Sequence, residues 1–306
     1  MNVINFERNM PAFEENKLSP ILARVVARPM VGKGKDGREL PTKGIVGNYA
    51  VRDGKPHFLG VTSESFGLVQ MRDLTDQAEK AMCRHFDMKT LDSVKIRDTS
   101  ANNGAFVERR YTIGDVTRDI DYTGGGYEVG TTVGKEFRVR TGYDGQTSTS
   151  LSTGAIDLKC LNGMVSFKNI DAFSRRHTKR STLDVFVAWI KIGLEGFDDQ
   201  VEHLRMLART PVDFDQAKAV VHKLPGISET RAKAIFDRVE TEMHDRGQNA
   251  YAVLSALTFY SSHNKDQFKV RRTGNDNVAT TLAERELEVN RWARSDAFCS
   301  LYASAA

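Results

Sequence analysis

Between Arg175 and Arg180 the chain places four basic side chains and a histidine, His177, in six consecutive positions. Side chains of these types hold anions, phosphates above all. From Lys159 to Lys191 the segment carries Lys159, Lys168, Arg175, Arg176, Lys179, Arg180 and Lys191 against Asp171 and Asp184. That is a net +5, more than the +4 of the whole molecule. Ser181 follows as a helix N-cap, with Asp184 three positions on. The cations therefore precede a helix N-terminus, where free N–H groups and the macrodipole also favour an anion. Basic residues serve helix stability poorly at that end, and an external polyanion would relieve the conflict. A solvated basic loop is the alternative.

A second candidate lies just upstream in "EFRVRTGYDGQTSTSLS", residues 136–152. Alternation puts Phe137 and Val139 on one face and Arg138 and Arg140 on the other, with Asp144-Gly145 as the turn. Tyr143 at the tip is a candidate base-stacking ring, and Phe167 and Phe173 are others, because single-strand binders combine basic grooves with aromatic platforms. Arg138, Arg140, Tyr143, Lys159, Lys168, Arg175, Arg176, His177, Lys179 and Arg180 make up the expected nucleic-acid contact set.

Two other patterns bear on chemistry. Asp115, Asp119, Asp121, Glu128 and Lys135 would suit a metal-dependent nuclease, although acids alternating on a strand also make an ordinary solvated face. "KLPGISETRAKAIF", 223–236, resembles the hairpin of helix-hairpin-helix modules, with Ser228 in place of the second glycine; a capped Pro-Gly turn between helices explains it equally. The chain has no G-x-S-x-G, H-E-x-x-H or Walker-type loop, and its histidines and cysteines fall at no metal-ligand spacing. A non-enzymatic protein without a cofactor or metal is expected. Cys83, Cys160 and Cys299 form no disulfide framework, so a reducing, cytoplasmic setting is expected. No apolar run spans a bilayer, and no membrane partner is expected.

These residues need elements to position them. Residues 1–43 read as an N-terminal arm with a Gly/Lys-rich loop at 31–44. Strands are expected at 44–51 and 57–61 around an Asp53-Gly54 turn, at 66–71, and repeatedly between 91 and 160, with "GGGYEVG" (124–130) as a loop. A helix is expected at 72–86, and a long one at 181–208 with a possible interruption at Gly193 or Gly196. Helices around 213–223, 228–246 and 249–262 follow, then a basic connector and a final helix. The expected fold is α+β: a twisted, mainly antiparallel sheet packed by the long helix, with a C-terminal helical subdomain. Its expected divisions are the arm (1–43), an α+β core (44–222), a helical subdomain (223–264), and a connector with the C-terminal helix (265–306).

The blocks "GIVGNYAVRDGKPHFLGVTSESFGLVQMRDLTDQAEKAM", "FRVRTGYDGQTSTSLSTGAIDLKCLNGMVS", "RRHT" and "NAYAVLSALTFYSSH" resemble, in order, those of a phage- and plasmid-encoded family catalogued as domain of unknown function 932. The resemblance covers roughly residues 44–265 and implies a phage or mobile-element protein in a bacterial cytoplasm. In layout alone, a hairpin and sheet followed by a long helix with a basic strip is similar to phage single-strand annealing proteins of the Red-beta, RecT and Erf type. That likeness implies an oligomer holding DNA by its backbone. The expected function is single-stranded DNA binding or annealing in recombination or replication. The expected partners are single-stranded DNA, possibly duplex DNA, other copies of the chain, and host or phage replication proteins. A protein-binding modulator of a host factor is the main alternative.

Overall fold

The computed structural model describes residues 19–33, 38–124, 127–158, 172–175, 177, 183–263 and 278–303. Two antiparallel sheets and nine α-helices make up these residues, an α+β fold. The first sheet has the order β1 (Val25–Lys33), β2 (Glu39–Arg52), β3 (Lys55–Ser63). The second runs β4 (Val94–Ala101), β5 (Phe106–Gly124), β6 (Tyr127–Gly142), β7 (Thr149–Asp157), β8 (Ala172–Arg175).

Residues 19–43 are not an arm. A 3-10 turn at Pro20–Leu22 buries Ile21 and Leu22, and β1 pairs with β2 from Val25↔Ala50 to Lys33↔Glu39. Pro29 hides this strand in the sequence, yet it is tolerated because β1 is an edge strand and its register shifts between Pro29 and Val31. The Asp53-Gly54 turn closes β2–β3 as expected, with both residues at positive φ (49° and 73°).

β5 and β6 form one long hairpin of 19 and 16 residues. The expected glycine loop at 124–130 is instead largely paired strand, with Gly124 opposite Tyr127 and Asp121 opposite Gly130. Residues 66–70 form no strand and lead into α1 (Met71–His85), followed by the short α2 (Met88–Asp92). The expected long helix is two: α3 (Leu183–Glu195) and α4 (Phe197–Arg209), divided at Gly196, which is the N-cap of α4. α5 (Phe214–His222), α6 (Glu229–Arg246), α7 (Ala250–Ser262), α8 (Val278–Trp292) and α9 (Asp296–Cys299) follow.

Two main apolar clusters hold these layers. In the first, Leu74, Ala78 and Met82 of α1 and Phe186 and Ile190 of α3 pack on Tyr111, Phe137 and Val139 of the second sheet. In the second, α7 is buried on nearly every side among α4, α5, α6 and α8. This helical cluster begins at Phe197, upstream of the expected boundary at 223. Among the described residues, no helix is long and apolar enough to cross a membrane.

Candidate nucleic-acid interface

The alternation along β6 is as the sequence indicates, but both of its faces are covered. Arg138 is 3% exposed and Arg140 is 8% exposed, so neither is a surface phosphate contact. Arg140 donates to Glu108 on β5 (2.8 Å) and to Glu286 on α8 (3.0 Å). Arg138 donates to Glu136 (2.6 Å) and to Glu286, and Arg110 reaches Glu108 (2.5 Å) and Glu286 (3.2 Å). Burial opposes ionisation of Glu108, but the guanidiniums of Arg140, Arg110 and Arg138 outweigh it and hold the carboxylate below its usual range. Three arginines and three glutamates thus neutralise one another beneath α8.

Tyr143 is not a stacking platform either. It is 1% exposed. Its hydroxyl accepts from the Met71 N–H (2.9 Å), and its carbonyl accepts from Asn48 Nδ2 (2.7 Å). The phenol therefore serves a free donor at the start of α1.

Within the basic run, Lys159, Lys168, Arg176, Lys179 and Arg180 lie outside the described residues, as do Phe167 and the Ser181 cap. Arg175 ends β8 opposite Thr149. His177 is partly buried and docked at several points. Its ring stacks on Phe66 with centroids 4.4 Å apart. Nδ1 faces the Gly67 carbonyl at 3.1 Å, and Nε2 faces the Thr147 carbonyl at 3.1 Å and the Thr149 hydroxyl at 3.2 Å. Burial lowers its pKa, against the Gly67 and Thr147 carbonyls and Asp144, which favour the cation. His177 therefore anchors its part of the run to Phe66 and Gly67, just beyond β3.

The surface that suits a polyanion best is one that reading the sequence for basic runs missed. Residues 24–64, which include the first sheet, hold eight basic against four acidic residues, a net +4. Cross-strand partners share a face, and the register sets out two rows: Val26, Tyr49 and Phe58, then Arg28, Gly47 and Val61. The opposite face carries the buried Val25, Asn48 and Ala50 and packs on the body. A register shift beside Tyr49 turns Leu59 inward and leaves Phe58 outward, 49% exposed. The Tyr49 and Phe58 rings meet edge-on at 5.5 Å, and the Arg28 guanidinium lies 5.9 Å from the Tyr49 centroid. Gly47 makes room for this arrangement: a Cβ there would come within 2.9 Å of both Tyr49 Cε2 and Met30 Sδ. Val61 and Ile45 are 44% and 38% exposed. Arg24, Lys43 and Lys55 are exposed on the same sheet or its margin.

The other two patterns resolve structurally. Asp119 Oδ1 accepts from the Thr132 hydroxyl (2.8 Å), while the buried Lys135, three residues from Thr132, stands on the other face of β6 and donates to the Leu194 carbonyl. Among the described residues, no group of three or more His, Cys, Asp or Glu side chains suits a metal ion. The 223–236 segment does form a helical hairpin. Gly226 is at φ 73°, and Ser228 caps α6 by accepting from the Arg231 N–H (3.4 Å).

The family described as domain of unknown function (DUF932) matches residues 59–286. The chain belongs to this family. The DUF932 match starts at Leu59 of β3 and ends at Glu286 of α8, so it takes in the buried arginine–glutamate network and His177, while Tyr49 and Phe58 precede it. No curated protein and no solved structure matches the chain.

Proposed function

We propose that this DUF932 protein binds single-stranded DNA on the outer face of its three-stranded sheet. Bases stack on Phe58 and Tyr49, and the backbone is held by Arg28 and the neighbouring Arg24, Lys43 and Lys55. The observation that carries this reading is the exposed Phe58 ring against the half-buried Tyr49, beside Arg28, on a sheet segment of net charge +4. Solvent-accessible rings on adjacent strands accept unpaired bases of any sequence, whereas a duplex keeps its base faces stacked inside. His177 docks at Phe66 and Gly67, just beyond β3, which ties the sequence's basic run to the neighbourhood of this sheet at that one residue. In this reading the protein serves annealing or replication of a phage or mobile element, as a non-enzymatic factor acting with other copies of itself.

The test is a salt-titrated binding measurement on a dT oligonucleotide. Phosphate contacts from four cations give a slope of log K against log salt of about −3. Phe58→Ala weakens binding by at least tenfold in a protein that melts as wild type does. A folded Phe58→Ala variant with unchanged affinity overturns the assignment.

A second reading rests on the apolar character of the same sheet, where Val31, Leu40, Ile45, Phe58 and Val61 are all exposed. These would dock a host protein whose acidic rim meets the basic margin. It requires no affinity for oligonucleotide at low salt, together with a retained protein partner that Phe58→Ala releases.

A further inference from the structure

Between α6 and α8 lies an open groove of about 890 Å³, within the size range of small-molecule sites. Its floor is Tyr260 of α7, 4% exposed, stacked on Trp292 at 5.7 Å and overlain by the Arg285 guanidinium at 4.8 Å. Glu288 is used by this floor: it accepts from Arg231 Nη1 (2.6 Å) and from the Tyr260 hydroxyl (3.0 Å). The walls are less occupied. Lys233 on α6 and Arg291 on α8 line the groove from opposite sides, both exposed. Neither is in an ion pair among the described residues. Asp237 and Glu284 line it as well, and among the described residues their carboxylates are in no ion pair.

Charged groups of both helices line the groove beside Ala234 and Leu287, a more polar lining than the mostly apolar one of a typical pocket. Exposed cations lining a groove suit a phosphate, and carboxylates in the same lining suit hydroxyl groups.

We propose that this groove binds a phosphorylated, hydroxyl-bearing ligand of the nucleoside monophosphate type. Lys233 and Arg291 hold the phosphate, and Asp237 and Glu284 accept from the hydroxyls. The same chemistry is offered by a free nucleotide and by the 5′-phosphorylated end of a strand. The site is made by helices alone and does not depend on the sheet face proposed above.

The experiment is calorimetric titration of the full chain with adenosine monophosphate, with a short dT oligonucleotide carrying a 5′-phosphate, and with adenosine and the unphosphorylated oligonucleotide as controls. At least one phosphorylated probe binds at millimolar concentration or below, with adenosine at least tenfold weaker. Lys233→Ala/Arg291→Ala, two exposed truncations, removes that binding by at least tenfold while leaving the ligand-free melting temperature unchanged. Phe58→Ala leaves nucleotide binding intact, which separates this site from the sheet face. Binding by the mononucleotide identifies a free ligand, and binding confined to the phosphorylated oligonucleotide identifies a strand end. No binding of either phosphorylated probe, or binding unaltered in the double variant, overturns the proposal.

Discussion

The carboxylate of Glu286 on α8 rests against the guanidinium of Arg138 on β6, 148 residues earlier in the chain, with both side chains 4% exposed. On the sheet, Arg138 lies directly opposite Arg110, an unfavourable pairing of like charges. Glu286 bridges the two and also accepts from Arg140, so α8 supplies the charge that lets this sheet face be buried.

Removing that carboxylate strands buried guanidiniums. Glu286→Ala is expected to lower unfolding free energy by about 3–5 kcal/mol. Glu286→Met combined with Arg138→Met recovers part of the loss, because the second change removes the orphaned charge. Urea unfolding of the single and double variants measures this. A double variant as unstable as Glu286→Ala would mean that packing, not charge, dominates at this position.

Tyr143 gives a sharper contrast between the sequence expectation and the structure. Its hydroxyl accepts from the first N–H of α1 in a buried site. Tyr143→Phe is expected to destabilise by about 1–2 kcal/mol, the effect of an unsatisfied buried donor. Oligonucleotide affinity of the folded variant stays at the wild-type level. Loss of affinity without loss of stability would restore Tyr143 as a contact.

His177 makes the docking of its segment sensitive to acid. Its folded-state pKa is depressed below the ordinary 6.5, burial being the main cause. Folding therefore favours the neutral ring. Its stabilising contribution is present above the unfolded value and is lost as pH falls through the folded one. Wild type is expected to exceed His177→Gln in stability at pH 7.5, by a margin that narrows toward pH 5. Denaturant melts of both proteins across this range test it, and a constant margin would contradict it.

Lys135 acts in the alkaline range. Burial pushes its pKa down to about 8, against Asp198 and Glu195, while its ammonium donates to Leu194 in the last turn of α3. A depressed lysine pKa means that the unfolded chain holds the proton more tightly, so stability rises with pH between about 8 and the unfolded value of about 10.4. Relative to Lys135→Met, wild type is expected to gain up to about 3 kcal/mol over that interval. Parallel denaturation curves at pH 7.5 and 10 measure the difference, and parallel pH dependence of the two proteins would contradict it.

What the sequence disclosed and what it withheld follow from the range of each signal. The Asp53-Gly54 turn, the α1 stripe and the Ser228 cap are local, and each stands where its residues indicate. The alternation of Phe137 and Val139 against Arg138 and Arg140 is equally local, and it is correct. Whether the arginine face meets water depends on Glu286, and no pattern near residue 138 announces a helix that begins at Val278. The outward aspect of Phe58 was illegible for a related reason. The irregularity at Leu59 breaks the two-residue period, so Phe58 and Val61 share a face although their spacing is odd. Pro29 and the Gly/Lys-rich sequence that follows it likewise disguised β1, which is identified by its pairing with β2. For the basic run, the structure fixes Arg175 in the sheet and His177 at Phe66, and these two positions are what the sequence cluster contributes to the described fold.

The central claim is that single-stranded DNA lies on Tyr49 and Phe58. Ultraviolet crosslinking of the full chain to a dT oligonucleotide, followed by peptide mass mapping, tests it most directly. The expected result is an adduct on Tyr49 or Phe58, lost at high salt and absent with a duplex of the same length. Crosslinks that spare residues 24–64, or no salt-sensitive binding at all, would contradict it.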